Sequence, residues 1–420
     1  MIFSLIVFVV VLALIISEKI NRTVAAITGA TLIVLFKILT PSQAIDLIDF
    51  NTIGVLIGMM IIVAIVKDTG IFEYLAIYSA KKVKGDPWKI ILIFCIITAI
   101  TSALLDNVTT VLLIVPMTLV ITDTLGLDPI PFLIPEIIAS NIGGTATLIG
   151  DPPNIMIGSA ANLSFADFVS NLLPVVLIIF IITFFIFKKL YNNKLYIEES
   201  KMEKIMKFDE IKSISDKKLL NKSIFVMFLV TLGFFFHEHL GYPSAIVALT
   251  GAAMLLLISG SDVEEVFKNV EWPTIFFFTG LFIIVGSLEK VGIISFIAKN
   301  ILDFTEGHIL ITGIVILWGS AILSSFLDNI PFVATLIPLI NSIGQQGHTD
   351  IMPLWWAISL GACLGGNGTL IGASANVVVA GIVERHGYKL SFKKYMKTGF
   401  PMMIVSIIIS TIYLVIFYLI

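Results

Sequence analysis

The chain of 420 residues is 58% hydrophobic and only 13% charged, with a formal net charge of −3. Together with a mean hydropathy of +1.04, this composition excludes a soluble domain and predicts a polytopic α-helical protein embedded in a lipid bilayer. The charge indicates little about partners, and we expect no nucleic-acid partner. Cys95 and Cys363 both lie in apolar runs, which excludes a disulfide framework and a zinc cluster.

Seven apolar runs follow one another in each half of the chain. The first seven cover residues 1–17, 22–38, 52–66, 88–105, 108–122, 131–150 and 171–187. The second seven cover residues 223–236, 243–259, 274–288, 308–327, 330–343, 354–372 and 398–420. Most are long enough to cross a hydrocarbon core of about 30 Å at about 1.5 Å per residue. The first run lacks a basic start, so it is predicted to be a membrane span and not a cleaved signal peptide.

A mixed-charge segment rich in Lys and Glu, residues 189–222, divides the chain and is predicted to be a solvated linker. The halves that it separates repeat with a constant offset of 222 residues, the difference between Gly143 and Gly365. "GGTATLIGDPPN" from Gly143 corresponds to "GGNGTLIGASAN" from Gly365, and "LLDNVTTVLLIVP" corresponds to "FLDNIPFVATLIP". We therefore predict two repeats, residues 1–188 and 223–420.

Each repeat is predicted to contain five transmembrane helices and one re-entrant helical hairpin, whose two apolar arms meet at an Asp-Asn turn. Because the arms enter and leave on the same side and the number of crossings is odd, the repeats must be inverted relative to each other. With a cytoplasmic linker, every Lys and Arg except Lys37, Lys290 and Lys299 lies on the inner side. We therefore predict a multi-pass protein of the plasma (inner) membrane with both termini outside.

The stretch "SNIGGTATLIGDPPN", from Ser140 to Asn154, is too polar and too rich in Gly and Pro for a plain membrane helix. Pro152 and Pro153 cannot donate backbone hydrogen bonds, and glycine tolerates non-helical dihedral angles. Unwound backbone is allowed inside a membrane only where it is buried in protein or lines a cavity. Inverted repeats with such broken helices are typical of secondary transporters whose site lies near the membrane midplane.

The two hairpin turns carry matched polar pairs, Asp106-Asn107 and Asp328-Asn329. Asp and Asn are favoured helix N-caps, so capping is one interpretation of these residues. Their apolar flanks favour a tip inside the bilayer, where an ionised Asp costs at least about 2.5–3.5 kcal/mol. We therefore interpret all four residues as ion or substrate ligands and as candidate sodium ligands, with Asp106 and Asp328 as candidate proton carriers.

Further oxygen ligands are expected beside the predicted breaks. They are Asn141, Thr145, Thr147, Asp151 and Asn154 in the first repeat, and Asn367, Thr369 and Asn376 in the second. The same groups can cap helix ends and satisfy freed backbone. Asp151 has Ala373 at its counterpart position and Glu136 has Ile358, so these two unmatched carboxylates are candidates for proton handling.

At the hairpin and break motifs the chain resembles the ion transporter superfamily. The nearest likeness is to the branch with a citrate transporter-like domain that holds the arsenite permeases, sodium/proton antiporters and the P protein. The resemblance implies a homodimer in which a mobile transport domain moves against a scaffold by an elevator motion. It also implies that both hairpin tips and both broken helices surround one site. By position, that site comprises Asp106, Asn107, Thr109, Asn141, Gly143, Gly144, Thr145 and Thr147, with Asp328, Asn329, Gly365, Gly366, Asn367 and Thr369.

We therefore expect an ion-coupled secondary transporter and not an enzyme, since no span carries a His-Glu-x-x-His motif. The favoured function is proton- or sodium-linked efflux of a small inorganic solute such as arsenite. No Lys or Arg is predicted inside the site, which suits neutral arsenous acid or a bare cation better than an anion. The alternatives are a sodium/proton antiporter, a sodium-coupled carboxylate (citrate or dicarboxylate) symporter and a passive channel. No cofactor is expected, and the coupling ion is H⁺ or Na⁺.

Overall fold

The computed structural model describes residues 2–17, 19–191, 195, 197–346 and 351–419, and within them the chain is helical without any strand. The first half contains α1 (Ile2–Ser17), α2 (Arg22–Leu35), α3 (Pro41–Asp46), α4 (Phe50–Lys67), α5 (Ile71–Lys82), α6 (Pro87–Leu104), α7 (Asn107–Leu125), α8 (Ile130–Thr145), α9 (Pro152–Ala161) and α10 (Phe165–Tyr191). The connection to the second half holds α11 (Glu199–Met206) and a short 3-10 helix (Glu210–Ser213).

The second half follows the same order of long and short helices. It contains α12 (Lys217–Phe236), α13 (Ser244–Ser259), α14 (Val263–Lys268), α15 (Trp272–Lys290), α16 (Ile293–Phe304), α17 (Ile309–Phe326), α18 (Asn329–Gln345), α19 (Met352–Gly365), α20 (Ser374–Arg385) and α21 (Phe392–Leu414), which ends in a π-helical turn (Val415–Leu419). Several helices begin 222 residues after their counterparts, as Ile71 of α5 and Ile293 of α16 do.

Eight helices of the described residues are long and apolar enough to cross a membrane. They are α4, α6, α7, α10, α12, α15, α17 and α21, the last taken with its π-helical turn. Four shorter apolar helices, α1, α2, α13 and α19, have 14 to 16 residues. The protein is therefore a polytopic helical membrane protein, as its composition predicts.

Helices end or begin inside three of the segments that the sequence marks out. Helix α8 ends at Thr145, within the run 131–150, and α19 ends at Gly365, within the run 354–372, both at the predicted breaks. Both ends of the predicted linker 189–222 are helical, because α10 continues to Tyr191 and α12 begins at Lys217. Residues 192–194 and 196 of that linker lie outside the described residues.

Two close helix pairs join the halves, since α2 packs against α15 and α4 packs against α13. A Cβ added at Gly58 of α4 would lie 2.6 Å from the backbone of Ala248, and one at Gly280 of α15 would lie 2.7 Å from the backbone of Ala26. Small residues let membrane helices approach closely enough to gain van der Waals packing. The two contacts use matching positions of the repeat, because Gly280 corresponds to Gly58 and Ala248 corresponds to Ala26. The halves therefore pack on each other through equivalent residues.

The two hairpins are formed by α6 with α7 and by α17 with α18, and each packs on a broken helix of its own half. Helix α6 lies against α8, and α17 lies against α19. The short helices that precede the hairpins start after Gly70 and Gly292, which have φ angles of +76° and +80°. Glycine adopts this left-handed conformation without a steric penalty, so the chain can turn sharply before each hairpin.

Candidate functional site

The site is built where two helices are interrupted. Helix α8 ends at Thr145 and α9 begins at Pro152, while α19 ends at Gly365 and α20 begins at Ser374. The first break is almost fully buried along its whole length. Proline at the first positions of α9 suits a helix start, because its missing N–H would find no partner there. The Gly-rich and Pro-containing motifs therefore mark the breaks correctly.

Two asparagines hold the unwound segments from the start of the following helices. The Asn154 side chain donates to the Thr147 carbonyl at 2.9 Å, and the Asn376 side chain donates to the Thr369 carbonyl at 2.9 Å. Asn154 also reaches the Gly144 carbonyl at the end of α8, and Asn376 reaches the Gly366 carbonyl at the start of the second break. These carbonyls are thus satisfied by the chain itself, and Asn154 and Asn376 stabilise the non-helical backbone.

Threonine hydroxyl groups attach the breaks to the hairpins. Thr147 Oγ1 donates to the Ala103 carbonyl at 2.6 Å, and Thr369 Oγ1 donates to the Ser325 carbonyl in the matching position. Thr145 Oγ1 donates to the carbonyl four residues earlier in α8, at 2.7 Å. Because these hydroxyl hydrogens are occupied, the three threonines position backbone and offer only oxygen lone pairs to a ligand.

The four candidate glycines allow close approach of backbone. A Cβ at Gly143 would lie 2.2 Å from a carbonyl oxygen of α6, and one at Gly365 would lie 2.7 Å from the backbone of α17. Gly144 and Gly366 lie instead against the backbone of their own breaks. The glycines therefore contribute by letting each broken helix pack directly on its hairpin arm.

A buried network of amides connects the first hairpin tip to both breaks. Asn107 Nδ2 donates to Asn141 Oδ1 at 3.2 Å, and Asn141 Nδ2 donates to Asn367 Oδ1 at 2.9 Å and to Asn376 Oδ1 at 3.0 Å. None of these four side chains is more than 2% exposed. Within the described residues, Asn367 Nδ2 has no hydrogen-bond partner. Since a buried unpaired donor is costly, this group is available to an oxygen atom of a bound solute.

Asp106, at the first hairpin tip, is engaged by its own helix. Its Oδ1 accepts a hydrogen bond from the Thr109 backbone N–H at 2.8 Å, and the Thr109 hydroxyl donates to Oδ2. This is N-cap geometry for α7. No ion pair reaches Asp106 within the described residues, so capping is the interaction that the structure gives to Asp106 and Thr109.

Asp328, at the second hairpin tip, has partners on three helices. Its Oδ2 accepts from Arg22 Nη1 of α2 at 2.8 Å and from Ser374 Oγ of α20 at 2.9 Å, and its Oδ1 accepts from the Ile330 backbone N–H of α18 at 3.2 Å. The prediction that no Lys or Arg lies inside the site is therefore wrong. Arg22 is the first residue of α2, and folding places that helix end against a tip 306 residues away in sequence.

Asp151 links the two halves at the base of α9. It is only 1% exposed, and Asn329 Nδ2 donates to its Oδ1 and Oδ2 at 3.3 and 3.2 Å. Asp151 also lies within electrostatic range of Asp106 and Asp328. The second hairpin tip, through Asp328 and Asn329, is thus joined to a carboxylate of the first half, whereas Ala373 offers no such group in return.

Glu136 lies apart from this set. It is fully buried on α8, five residues before Asn141, and its Oε1 accepts from Thr118 Oγ1 of α7 at 2.8 Å. Its Oε2 has no partner within the described residues. The structure therefore does not bring Glu136 into hydrogen-bond contact with the hairpin tips.

The site as a whole carries more negative than positive groups. Asp106, Asp151 and Asp328 contribute carboxylates, and Arg22 is paired with one of them. Within the described residues no three His, Cys, Asp or Glu side chains come together as a metal-binding group. A cation would therefore be held by one or two carboxylates together with amide and hydroxyl oxygens, which are the hard ligands that alkali and alkaline-earth cations prefer.

Known proteins are similar in sequence to this chain over most of its length. Residues 12–361 match the family described as citrate transporter (CitMHS). The chain belongs to the citrate transporter family. One relative of this chain is an uncharacterized transporter of Mycobacterium tuberculosis (strain H37Rv). The two sequences are 43% identical over 97% of this chain and 96% of the relative. The P protein of Homo sapiens is 36% identical over 97% of this chain and 58% of the P protein.

The fold of this citrate transporter family member also occurs in a solved structure. The YdaH transporter of Alcanivorax borkumensis superposes with a TM-score of 0.59 over 92% of this chain and 88% of that one, at 12% identity. The family and the Mycobacterium tuberculosis relative are described as transporters, so the chain is a membrane transporter and not an enzyme.

Three residues of the site were missed by reasoning from sequence alone. Arg22 follows directly on Asn21 at the start of an apolar run, where it reads as an ordinary flanking charge. Ser374 occupies the position of Pro152 in the other repeat, and Ser359 Oγ donates to Asn154 Oδ1 at 2.6 Å. For the two serines the repeat was the available signal, because they replace Pro152 and Ile137 of the first half. No such signal marks Arg22, whose counterpart Ser244 is also polar.

Proposed function

We propose that the protein is a cation-coupled secondary active transporter with two inverted repeats. In this proposal it forms a homodimer in the plasma (inner) membrane, with both termini outside and the connection between the halves in the cytoplasm. The hairpins and broken helices belong to a transport domain that moves as an elevator against a scaffold. The matching contacts of α2 with α15 and of α4 with α13 support the symmetry that this motion requires.

The observation that carries the proposal is the bridge between Asp151 and Asn329. It joins a buried carboxylate of one broken helix to the tip of the opposite hairpin, at 3.2–3.3 Å. A proton or sodium ion bound there would change the charge of the site at the contact between the two halves. Because an empty, charged site is reluctant to enter the bilayer interior, cation binding there can control whether the transport domain moves.

The solute is proposed to be a small inorganic species such as arsenite, exported in its neutral form. The amide network of Asn107, Asn141 and Asn367 supplies donors and acceptors without net charge, and Asn367 Nδ2 is unoccupied. Arg22, the cation of the site, is already paired with Asp328. This set of groups suits a neutral hydroxylated solute better than a multivalent anion.

Sodium/proton antiport is the second candidate, favoured by the excess of carboxylates. Asp151 lies within electrostatic range of both Asp106 and Asp328, and Arg22 is paired with Asp328. Protons and sodium ions compete for carboxylate oxygens, and such competition is sufficient to exchange one for the other. Sodium-coupled uptake of a carboxylate is the third candidate, either of citrate, which the family's name gives, or of a dicarboxylate.

The test uses the purified protein in proteoliposomes with imposed pH or sodium gradients. Radiolabelled arsenite and citrate are supplied separately, and proton and sodium movements are recorded without solute as well. Accumulation of arsenite against its gradient, driven by either cation, is the expected result. Cation exchange without any solute would favour antiport, and citrate accumulation would favour the symporter. Downhill solute flux that no cation gradient alters would identify a passive channel and overturn the proposal.

A further inference from the structure

Arg22 makes the sole ion pair at the hairpin tips within the described part of the chain. Its Nη1 lies 2.8 Å from Asp328 Oδ2, and the side chains are 30% and 11% exposed. The guanidinium group also lies over the Phe277 ring of α15, 5.2 Å from its centroid. Arg22 is thus held by α15 on one side and holds the second hairpin tip on the other.

The Asp328 carboxylate is occupied on both oxygens. Oδ2 takes the Arg22 and Ser374 donors, and Oδ1 takes the Ile330 backbone N–H. A sodium ion or proton that binds Oδ2 would meet the guanidinium charge at hydrogen-bond distance. Since like charges at that distance repel strongly in a medium of low dielectric constant, Arg22 and a bound cation exclude each other at this oxygen.

The ion pair lies beside an open space. A cavity of about 330 Å³ lies between α1 and α2 on one side and the second hairpin and α20 on the other, with Arg22, Asp328 and Ser374 in its wall. The main packing partners of α2 are α15 and α1. The cavity gives the Arg22 side chain room to move away from Asp328 while α2 keeps these partners.

Within the described residues, the tip of the α6–α7 hairpin has no ion pair equivalent to that of Arg22 with Asp328. The residue 222 positions after Arg22 is Ser244, whose hydroxyl donates to Asn51 Oδ1 at 3.3 Å. Asp106 forms no ion pair within the described residues and is engaged by its own helix. One hairpin of the pair is thus tied to α2 by a charge, and the other is not.

We propose that the Arg22 guanidinium is a tethered substitute for the coupling cation, occupying Asp328 while the site is empty and leaving it when the cation binds. Departure of Arg22 releases the α17–α18 hairpin from α2, so that only the loaded transport domain is free to move. This inference rests on the proposed cation coupling and assigns Arg22 a role in it.

The other charged groups around the pair fit this exchange. Asp151, just before α9, lies within electrostatic range of Asp328, and Glu271, just before α15, lies within electrostatic range of both Arg22 and Asp106. A released Arg22 therefore keeps the Phe277 ring and the Glu271 carboxylate as neighbours. The nearby Glu271 charge would attract the released guanidinium and so lower the cost of the released state.

The first test measures equilibrium binding of ²²Na⁺, and in parallel proton uptake with a pH indicator, on the purified full-length protein. Arg22→Gln removes the internal competitor and should lower the half-saturating concentration of the coupling cation about tenfold, which corresponds to about 1.4 kcal/mol. Arg22→Lys keeps the charge and should lie closer to wild type. Lys290→Gln is the matched control, because the hydrogen bonds of Lys290 within the described residues go to the Ile38 carbonyl and the Gln43 side chain, away from the hairpin tips.

A second test uses the unmodified protein and does not depend on the folding of a variant. Arg22 and Arg385 are the two arginines of the chain, so phenylglyoxal modification of each can be followed by mass spectrometry. Addition of the coupling cation should accelerate modification of Arg22 and leave Arg385 unchanged. The proposal is overturned if the cation leaves Arg22 unaffected or protects it, or if Arg22→Gln binds the cation no more tightly than wild type.

These outcomes are distinguishable from a failure of the proposed function. Wild-type protein whose transport responds to neither a pH nor a sodium gradient would contradict cation coupling itself. Wild-type protein with coupled transport, combined with an unchanged cation affinity in Arg22→Gln, would contradict only the role of Arg22.

Discussion

The two hairpin tips share the sequence Leu-Asp-Asn but have different surroundings. At the first tip, Asp106 is bound by Thr109 of its own helix, and Asn107 contacts Asn141 of the same half. At the second tip, Asp328 and Asn329 bind residues of the opposite half, including Asp151 at 3.2 Å. A sequence repeat therefore does not impose equal roles, because the partners of each tip come from elsewhere in the chain. We assign cation coupling to the second tip and solute contact to the amide network of the first.

The largest effect is expected from Asp151→Asn, which removes the carboxylate that Asn329 contacts while it keeps the size of the side chain. Coupled transport should fall at least about a hundredfold, or about 2.7 kcal/mol. Asp167→Asn is the control, because Asp167 accepts hydrogen bonds from Ser164 at the start of α10, outside the site. Gradient-driven flux in proteoliposomes is the measurement, and equal losses in both variants would refute the special role of Asp151.

A second comparison concerns glycines in the two breaks. In Gly143→Ala the new Cβ would lie 2.2 Å from a backbone oxygen, whereas in Gly366→Ala it would lie 3.0 Å from the Ala373 side chain. Overpacking against backbone costs about 1–3 kcal/mol, so Gly143→Ala should lower the thermal unfolding midpoint clearly and Gly366→Ala only slightly. The reverse order would show that the first break is not packed on α6 as described.

The tips also differ in their expected contribution to stability. Asp328→Asn breaks the ion pair with Arg22, and since that pair is partly solvent-screened, the expected loss is about 1 kcal/mol. Asp106→Asn keeps a favoured N-cap residue and should cost only about a few tenths of a kcal/mol. Thermal unfolding of the two purified variants measures both losses of stability. A larger loss of stability in Asp106→Asn would show that the first tip carries the more important charge.

The smallest effect is expected at the connection between the halves, which docks on α5 of the first half. Lys81 Nζ donates to the Phe208 carbonyl at 2.9 Å and to the Glu210 carboxylate, and Ser215 N–H donates to the Thr69 carbonyl at 3.1 Å. The hydrogen bond from Lys81 holds the pKa of Glu210 below its ordinary value. A lowered carboxylate pKa stabilises the docked state above the ordinary value of about 4.3, and this stabilisation is lost as the pH falls through the lowered value.

The corresponding variant is Glu210→Gln, which should make the connection somewhat more sensitive to protease at neutral pH. In wild type the same sensitivity should rise only below a pH of about 4. Limited proteolysis of the purified protein across this pH range is the measurement, with Glu264→Gln on α14 as a control. A sensitivity that rises already near neutral pH would exclude Glu210 as the controlling group.

The sequence was sufficient to predict the class of fold and the position of the breaks. The length of the apolar runs follows from the thickness of the bilayer. The Gly-rich, Pro-ended motif ends α8 at Thr145 because its residues tolerate unwound backbone. The family resemblance is confirmed by the match over residues 12–361. The inverted orientation of the repeats, the homodimer and the elevator motion stay predictions.

Partner choice within the site could not be predicted from the sequence. Asp106 and Asp328 lie in matching motifs, yet Arg22 reaches only Asp328 because the start of α2 folds against the second hairpin. The connection between the halves has a composition typical of a solvated linker, and the pairing of Glu210 with Lys81 depends on tertiary structure. Such contacts join residues far apart in sequence, and no local pattern encodes them.

Binding of the coupling cation at the second hairpin tip can be measured without transport. Equilibrium binding of ²²Na⁺ and of protons is recorded for purified wild-type protein, Asp106→Asn, Asp151→Asn and Asp328→Asn, without any solute. We expect Asp151→Asn and Asp328→Asn to lose saturable binding of the coupling cation, while Asp106→Asn retains it. Loss of binding in Asp106→Asn with normal binding in the other two variants would exclude the second tip as the cation site.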